Sequence, residues 1–401
     1  MIITPITAIL GLAIAIAVKV TAIDIDTSGF LSPRLSYSVG GHAVCVNGIV
    51  PVHVSSASNV QLNLPSSTNR TEATQLLLDL FTVNSTIVAQ VSGPERQISQ
   101  QFNISSRLCY PRHSATGHEY STVQFLTHGI GFGQNYWDFA APSNSYIDFA
   151  AQAGQVTFSY DRLGVGESSH PDPIQIVQGP AQVSIAHALV GLLRDGELSA
   201  TKFSHVIGVG HSYGSAITTT VADTYPFDFD ALVLTGFGNN ATGAPQFWAA
   251  QNLIPASTDL SQRFVGLEDG YLVASTIYGV QYAFFHFPGF EIPTLSLAFA
   301  NRQTTTWGEQ FTMGTLEHPA ESYTGPVFVV NGEQDLVFCQ GNCNFPSNIA
   351  LRTLRNVFPA ADATRSGAFL LPNSGHGLNL HVNAPLAFEK IQSFILDLDL
   401  D

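Results

Sequence analysis

The segment Gly210-His211-Ser212-Tyr213-Gly214 places one serine between two glycines, directly after a strand-like run, Phe203 to Gly208, and before a helix-like run, Ser215 to Thr224. A strand that turns sharply into a helix lifts the middle side chain above the strand ends, and the helix N-terminus aims free N–H groups at the space beside it. That is a setting for a serine nucleophile whose attack on a carbonyl builds negative charge on oxygen. The pentapeptide alone arises often by chance; its place between strand and helix gives it weight.

A serine hydroxyl needs a base, and the base needs a carboxylate to hold it. The chain supplies both in the order serine, acid, histidine. Pro326 to Asp335 reads as a buried strand running into a tight turn, which makes Asp335 the expected acid and Glu333 its competitor. Ser374-Gly375-His376-Gly377 follows the last strand-like run, and the flanking glycines let the backbone bring the His376 imidazole close to the serine. His381, at the expected start of the C-terminal helix, is the other candidate base. An oxyanion needs two N–H donors. One is expected from Tyr213, and the other from His128-Gly129-Ile130-Gly131-Phe132, at Ile130 with Gly131 as the alternative. This glycine-rich stretch matches neither the P-loop nor the dinucleotide-binding pattern.

The elements that must position these groups are legible from residue 121 onward. Strand-like runs at Thr122 to Thr127, Gln155 to Tyr160, His205 to Gly208, Ala231 to Leu234, Val327 to Val330 and Ala368 to Leu371 alternate with helical segments such as Ala181 to Leu193. This rhythm predicts a mostly parallel sheet flanked by helices. It breaks between 237 and 322, where Phe247, Trp248, Tyr278, Phe284, Trp307 and other aromatics read as a helical lid. Most of those rings would form the lid's own core, and a few would line an apolar pocket. The predicted organisation is a signal peptide (1–22), an N-terminal extension of strands and a helix (23–118), the first part of the core (119–236), the lid (237–322) and the second part of the core (323–401).

The chain of 401 residues is 45% hydrophobic, only 11% charged and carries a formal net charge of −15 with no basic block. A nucleic-acid partner would need a basic surface, so this class is excluded. Residues 1–22 are apolar or small and end in Val20-Thr21-Ala22, which fits a secretory signal peptide, with Ala17 as an alternative cleavage edge and a membrane anchor as the competing reading. After cleavage no membrane span is expected. Asn69, Asn84, Asn103 and Asn240 begin Asn-X-Ser/Thr sequons, which predict glycosylation. Four cysteines in an oxidising compartment predict two disulfides, Cys339–Cys343 by proximity and Cys45–Cys109 by remainder. No histidine stands beside the Cys339–Cys343 loop, so a metal site is not expected.

His128-Gly129, Asp161-Arg162-Leu163-Gly164-Val165-Gly166-Glu167-Ser168, Gly210 to Gly214, Asp335 and Gly375-His376-Gly377 together resemble the α/β-hydrolase fold superfamily over roughly 120–395. With its signal-like segment and sequons, the chain is similar to secreted members from filamentous fungi. The resemblance implies an eight-stranded sheet, a lid after the sixth strand, no cofactor, and a purely structural Asp161-Arg162 turn. The expected activity is hydrolysis of a small ester with an apolar acyl group. The alternatives are a specialised hydrolase acting on a lactone or thioester of a fungal metabolite, and a catalytically silent binding protein on the same fold. An epoxide hydrolase or dehalogenase would need an aspartate where Ser212 stands.

Overall fold

A computed structural model describes residues 25–65, 69–112, 120–139 and 141–400 of the protein; the expected signal segment lies outside the described residues. The centre is built from short strands in which every residue is buried: β4 (Thr122–Thr127), β5 (Val156–Tyr160) and, further along the chain, β7 (Ala231–Thr235). Before them come β1 (Leu31–Tyr37), β2 (Ala43–Leu62) and β3 (Ser92–Pro111); β6 (His205–His211) precedes β7, and β11 (Val327–Gly332) and β12 (Gly367–Leu371) follow it. They form one sheet in the order β1-β2-β3-β5-β4-β6-β7-β11-β12. From β5 to β12 all neighbours are parallel, while β1, β2 and β3 are antiparallel to one another and β3 is antiparallel to β5. Strands covered on both faces have no reason to alternate, which is why their sequences read as continuous apolar runs.

The sheet has nine strands rather than the expected eight. The additional one is β1, an edge strand whose side chains are mostly exposed and whose pairing with β2 is interrupted between Leu31 and Arg34. Exposure and a bulge together erase the period-two pattern that would have announced it.

Chain order and strand order place the crevice. From β4 the chain passes through α3 (Tyr146–Gln152) to β5 on one side, then returns through α4 (Gly179–Asp195) to β6 on the other side of β4. It continues in that direction through α5 (Tyr213–Thr224) to β7. Right-handed crossovers in opposite directions put α3 on one face of the sheet and α4 with α5 on the other. β4 and β6 are therefore adjacent strands whose connections diverge, and a crevice opens beyond their C-terminal ends. Ser212 follows β6 and Ile130 follows β4, so the fold brings two distant sequence segments to one point.

Between β2 and β3 lie α1 (Arg70–Phe81) and α2 (Ile87–Val91). The insertion after β7 contains α6 (Ala244–Gln251), β8 (Ile254–Pro255), β9 (Tyr271–Val273), α7 (Ile277–Phe284), α8 (Ile292–Ala300), β10 (Thr305–Thr306) and α9 (Trp307–Thr312). It is thus helical as expected but also holds a small antiparallel sheet in the order β10-β9-β8. The remaining helices are α10 (Leu336–Cys339), α11 (Ile349–Val357) and α12 (Ala384–Leu396). The last begins three residues beyond His381, not at it. No helix among the described residues is long and apolar enough to cross a membrane.

Candidate active site

Ser212 occupies the turn between β6 and α5 with φ 54° and ψ −121°, a backbone conformation that costs energy for any residue with a Cβ. The turn is held because Ser212 N–H donates to the Thr235 carbonyl at 2.9 Å, and its own carbonyl accepts from Ser215 and Ala216. Gly214 is required by contact: a Cβ there would lie 2.1 Å from the Thr127 carbonyl oxygen. α5 therefore packs directly on the end of β4, and its first turn faces the crevice.

The His376 side chain lies between the other two. Ser212 Oγ is 2.8 Å from His376 Nε2, and Asp335 Oδ2 is 2.7 Å from His376 Nδ1. Asp335 is fully buried and His376 nearly so, while Ser212 keeps partial exposure toward the crevice. With the carboxylate at Nδ1, that nitrogen carries the proton and Nε2 is free to accept from the serine hydroxyl. Asp335 caps α10, its Oδ1 accepting from Phe338 N–H at 3.1 Å, which fixes the carboxylate plane and leaves Oδ2 for the imidazole. Both expected disulfides are formed. Cys339–Cys343 closes the loop after Asp335, and Cys45–Cys109 joins directly opposed residues of β2 and β3. Glu333, the competing acid, points outward and accepts from Asn344 Nδ2 at 3.0 Å.

His381, the competing base, has both nitrogens engaged by backbone. Nδ1 donates to the Gly377 carbonyl at 3.0 Å, and Nε2 accepts from Gly375 N–H and His286 N–H, each at 3.0 Å. It clamps the loop that carries His376 on both sides. Burial pushes its pKa down to about 4, which keeps it neutral as this bonding requires.

The loop after β4 passes close behind the serine: a Cβ on Gly129 would lie 2.9 Å from Ser212 Cβ. Ile130 and Tyr213 both line the crevice beside Ser212, and among the described residues neither backbone N–H has an acceptor. Gly131, the alternative donor, is in the left-handed region at φ 79°, and its carbonyl accepts from Gln303 N–H at 3.0 Å. His128 Nδ1 donates to the Gly129 carbonyl at 2.8 Å and its Nε2 accepts from Arg162 N–H at 3.0 Å. Burial, then the nearby Arg162 charge, holds His128 well below the usual histidine range.

Sequence reasoning left Arg162 outside the site, and it stands immediately behind it. Its guanidinium lies 4.8 Å from the centre of the Tyr213 ring and donates to the Gly129 carbonyl at 3.4 Å and to Gln182 at 2.6 Å. It pairs with Glu309 of α9, both side chains being buried. Glu309 had no signal in the sequence, because a lone carboxylate in an aromatic-rich insertion gives no hint of its partner. His211 is also fully buried, stacked on Tyr136 at 4.4 Å with its ring centre 5.1 Å from that of His376. Burial and then His376 hold it well below the histidine range, so it adds no charge beside His376.

Over Ser212 lies a cavity of about 560 Å³, within the range of small-molecule sites. Its walls are Ile130, Phe237, Phe247, Trp248, Val337 and Phe338, with Asn239, Asn240 and Glu317 at the rim. Among the described residues no group of His, Cys, Asp and Glu is arranged to hold a metal ion.

No curated protein matches the sequence. Many solved structures share the fold. A thermophilic esterase from Thermogutta terrifontis superposes with a TM-score of 0.50 at 12% identity, covering 74% of this chain and 94% of its own. An α/β-hydrolase fold protein from Chitinophaga pinensis gives 0.48 at 15% identity, over 75% of this chain and 94% of that one. A monoacylglycerol lipase from Paleococcus ferrophilus gives 0.45 at 14% identity, over 70% and 96%. The sequence profile of the alpha/beta hydrolase family matches residues 125–390, and the chain belongs to that family.

Proposed function

We propose that the protein is a secreted serine hydrolase that cleaves carboxylic esters with an apolar acyl group, using Ser212, His376 and Asp335. The observation that carries this reading is the unbroken hydrogen-bonded line from Ser212 Oγ through His376 to Asp335 at the floor of an apolar cavity. In this reading Ser212 Oγ attacks the ester carbonyl as His376 Nε2 takes its proton. The oxyanion is held by the N–H groups of Tyr213 and Ile130, two residues that line the cavity beside Ser212 and whose N–H groups have no acceptor among the described residues. His376 returns the proton to the departing alkoxide. It then takes a proton from a water that attacks the acyl-enzyme carbonyl, and passes that proton to Ser212 Oγ as the bond to the acyl group breaks, releasing the carboxylic acid and restoring the serine. Asp335 keeps the imidazole in the working tautomer and balances its transient charge.

Export is part of the proposal, as in the secreted fungal enzymes the sequence resembles. It is supported by two disulfides and by the exposure of Asn69, Asn84, Asn103 and Asn240. The test is hydrolysis of a p-nitrophenyl ester series together with labelling by a fluorophosphonate. Ser212→Ala is expected to abolish labelling and to lower turnover by about 10⁴-fold or more with the fold intact. Ester turnover that survives in this variant would remove the assignment.

A further inference from the structure

The N-terminal extension lies outside the segment matched by the family, which begins at residue 125. One of its residues nevertheless reaches the cavity over Ser212: Phe81, the last residue of α1. β2 and β3 are each 20 residues long and pair along most of their length, so the segment joining them is carried far from the sheet's centre. That segment holds α1. Ala73, Leu76 and Leu77 form a buried stripe at helical spacing, which Leu80 and Phe81 continue as half-buried residues, while Leu78 on the other side is 58% exposed. The stripe packs beside β8 of the insertion, and Arg70 Nη2 donates to the Thr258 carbonyl at 3.3 Å.

Phe81 ends a line of rings that starts at the catalytic centre. Phe247 lies edge-on to His376 at 5.8 Å, Trp248 edge-on to Phe247 at 5.0 Å, and Phe81 stacks on Trp248 at 5.9 Å with 20° between planes. All three aromatic side chains line the cavity. The three successive rings offer an uncharged path that suits a methylene chain, although Glu317 and His318 also line the cavity.

We propose that α1 acts as a second cap, and that the Phe81–Trp248 pair sets the length of linear acyl chain the site accepts. This rests on the cavity being the acyl site of an ester hydrolase. Each methylene laid along the wall adds affinity until the chain end meets the Phe81 ring, which blocks further carbons.

Calorimetric titration of the Ser212→Ala protein with linear fatty acids, from butyrate to dodecanoate, tests this without requiring turnover. Affinity is expected to rise by about four-fold per methylene up to a limiting length. Phe81→Ala should move that limit to longer chains and Phe81→Trp to shorter ones, while Leu78→Ala leaves it in place. The opposite shift in the tryptophan variant keeps the test decisive if the alanine variant folds poorly. A limit unchanged in both Phe81 variants, or no binding of any fatty acid, overturns the inference. Failure of the ester-hydrolase reading shows separately, as ester turnover retained by Ser212→Ala.

Discussion

Asp335 makes two hydrogen bonds with two different consequences. Oδ1 caps α10 and Oδ2 receives the His376 proton. Asp335→Asn can still cap the helix and fill the same volume, but its amide presents a donor or a neutral acceptor where the imidazole requires a carboxylate. We expect kcat to fall by about 10⁴-fold with KM little changed, as steady-state kinetics on a p-nitrophenyl ester would read. A drop of ten-fold or less would mean that His376 is oriented by something other than this carboxylate. The choice of Asp335 over Glu333 rested on its place in the turn after the strand, Gly332-Glu333-Gln334-Asp335, and in the structure Asp335 is the acid that meets His376. The choice between His376 and His381 rested on the place after the last strand, the chain order and the flanking glycines together. The structure supplies the physical ground: both His381 nitrogens are spent on backbone partners. Phe81 was legible only as the end of a helix-like run from Glu72, which the structure shows as α1, since nothing in that run indicates which part of the fold the helix touches.

At the scale of elements, the insertion does more than cover the crevice. Glu309 sits in the first turn of α9, where it completes a capping box with Thr306, and the same carboxylate pairs with Arg162 and accepts from Gln182 at 2.7 Å. Arg162 in turn touches the two segments that carry the Ile130 and Tyr213 amides. The ion pair thus ties α9 to the loop after β4 and to α5. Glu309→Gln leaves a guanidinium buried without a counter-charge, which costs about 3–5 kcal/mol. Urea unfolding should show this loss, and the double variant Arg162→Met/Glu309→Gln should recover much of it, because no unpaired charge then remains inside. Equal instability of single and double variants would mean that the hydrogen bonds of Glu309, not the charge balance, hold α9 in place. Of the strands that carry the site, β4, β6 and β11 were readable because they are buried on both faces, while β12, half-buried at the sheet edge, was readable as a short apolar run. The β2–β3 hairpin and the edge strand β1 were not resolved as such, because long half-exposed strands mix apolar and polar residues and pair through contacts far away in sequence.

For the molecule as a whole, the buried histidines set the direction of its pH response. His128, His211 and His381 are buried and held neutral, chiefly by desolvation, and half-buried His170 is lowered for the same reason. In the unfolded chain each takes up a proton near pH 6.5. Between that pH and the lower folded value the unfolded state binds more protons, so stability is fully present above about pH 6.5 and is lost as the pH falls toward the folded values. For His381, whose folded pKa is about 4, the loss across this window is about 3 kcal/mol. Asp161 has the opposite sign, because burial raises its carboxyl and favours the protonated form of the folded protein. Its contribution belongs to the carboxylate range, so it offsets the histidines only at the acid end of the window. Urea unfolding measured from pH 7.5 down to 4.5 should therefore show a steady decline in free energy. In His381→Gln, protein less stable at neutral pH should show a shallower decline, since one buried neutral imidazole has been removed from the linkage. A wild-type curve that is flat across this range would mean that the histidines titrate alike in the folded and unfolded chains, and that the desolvated interior around His376 is wetter than its packing indicates.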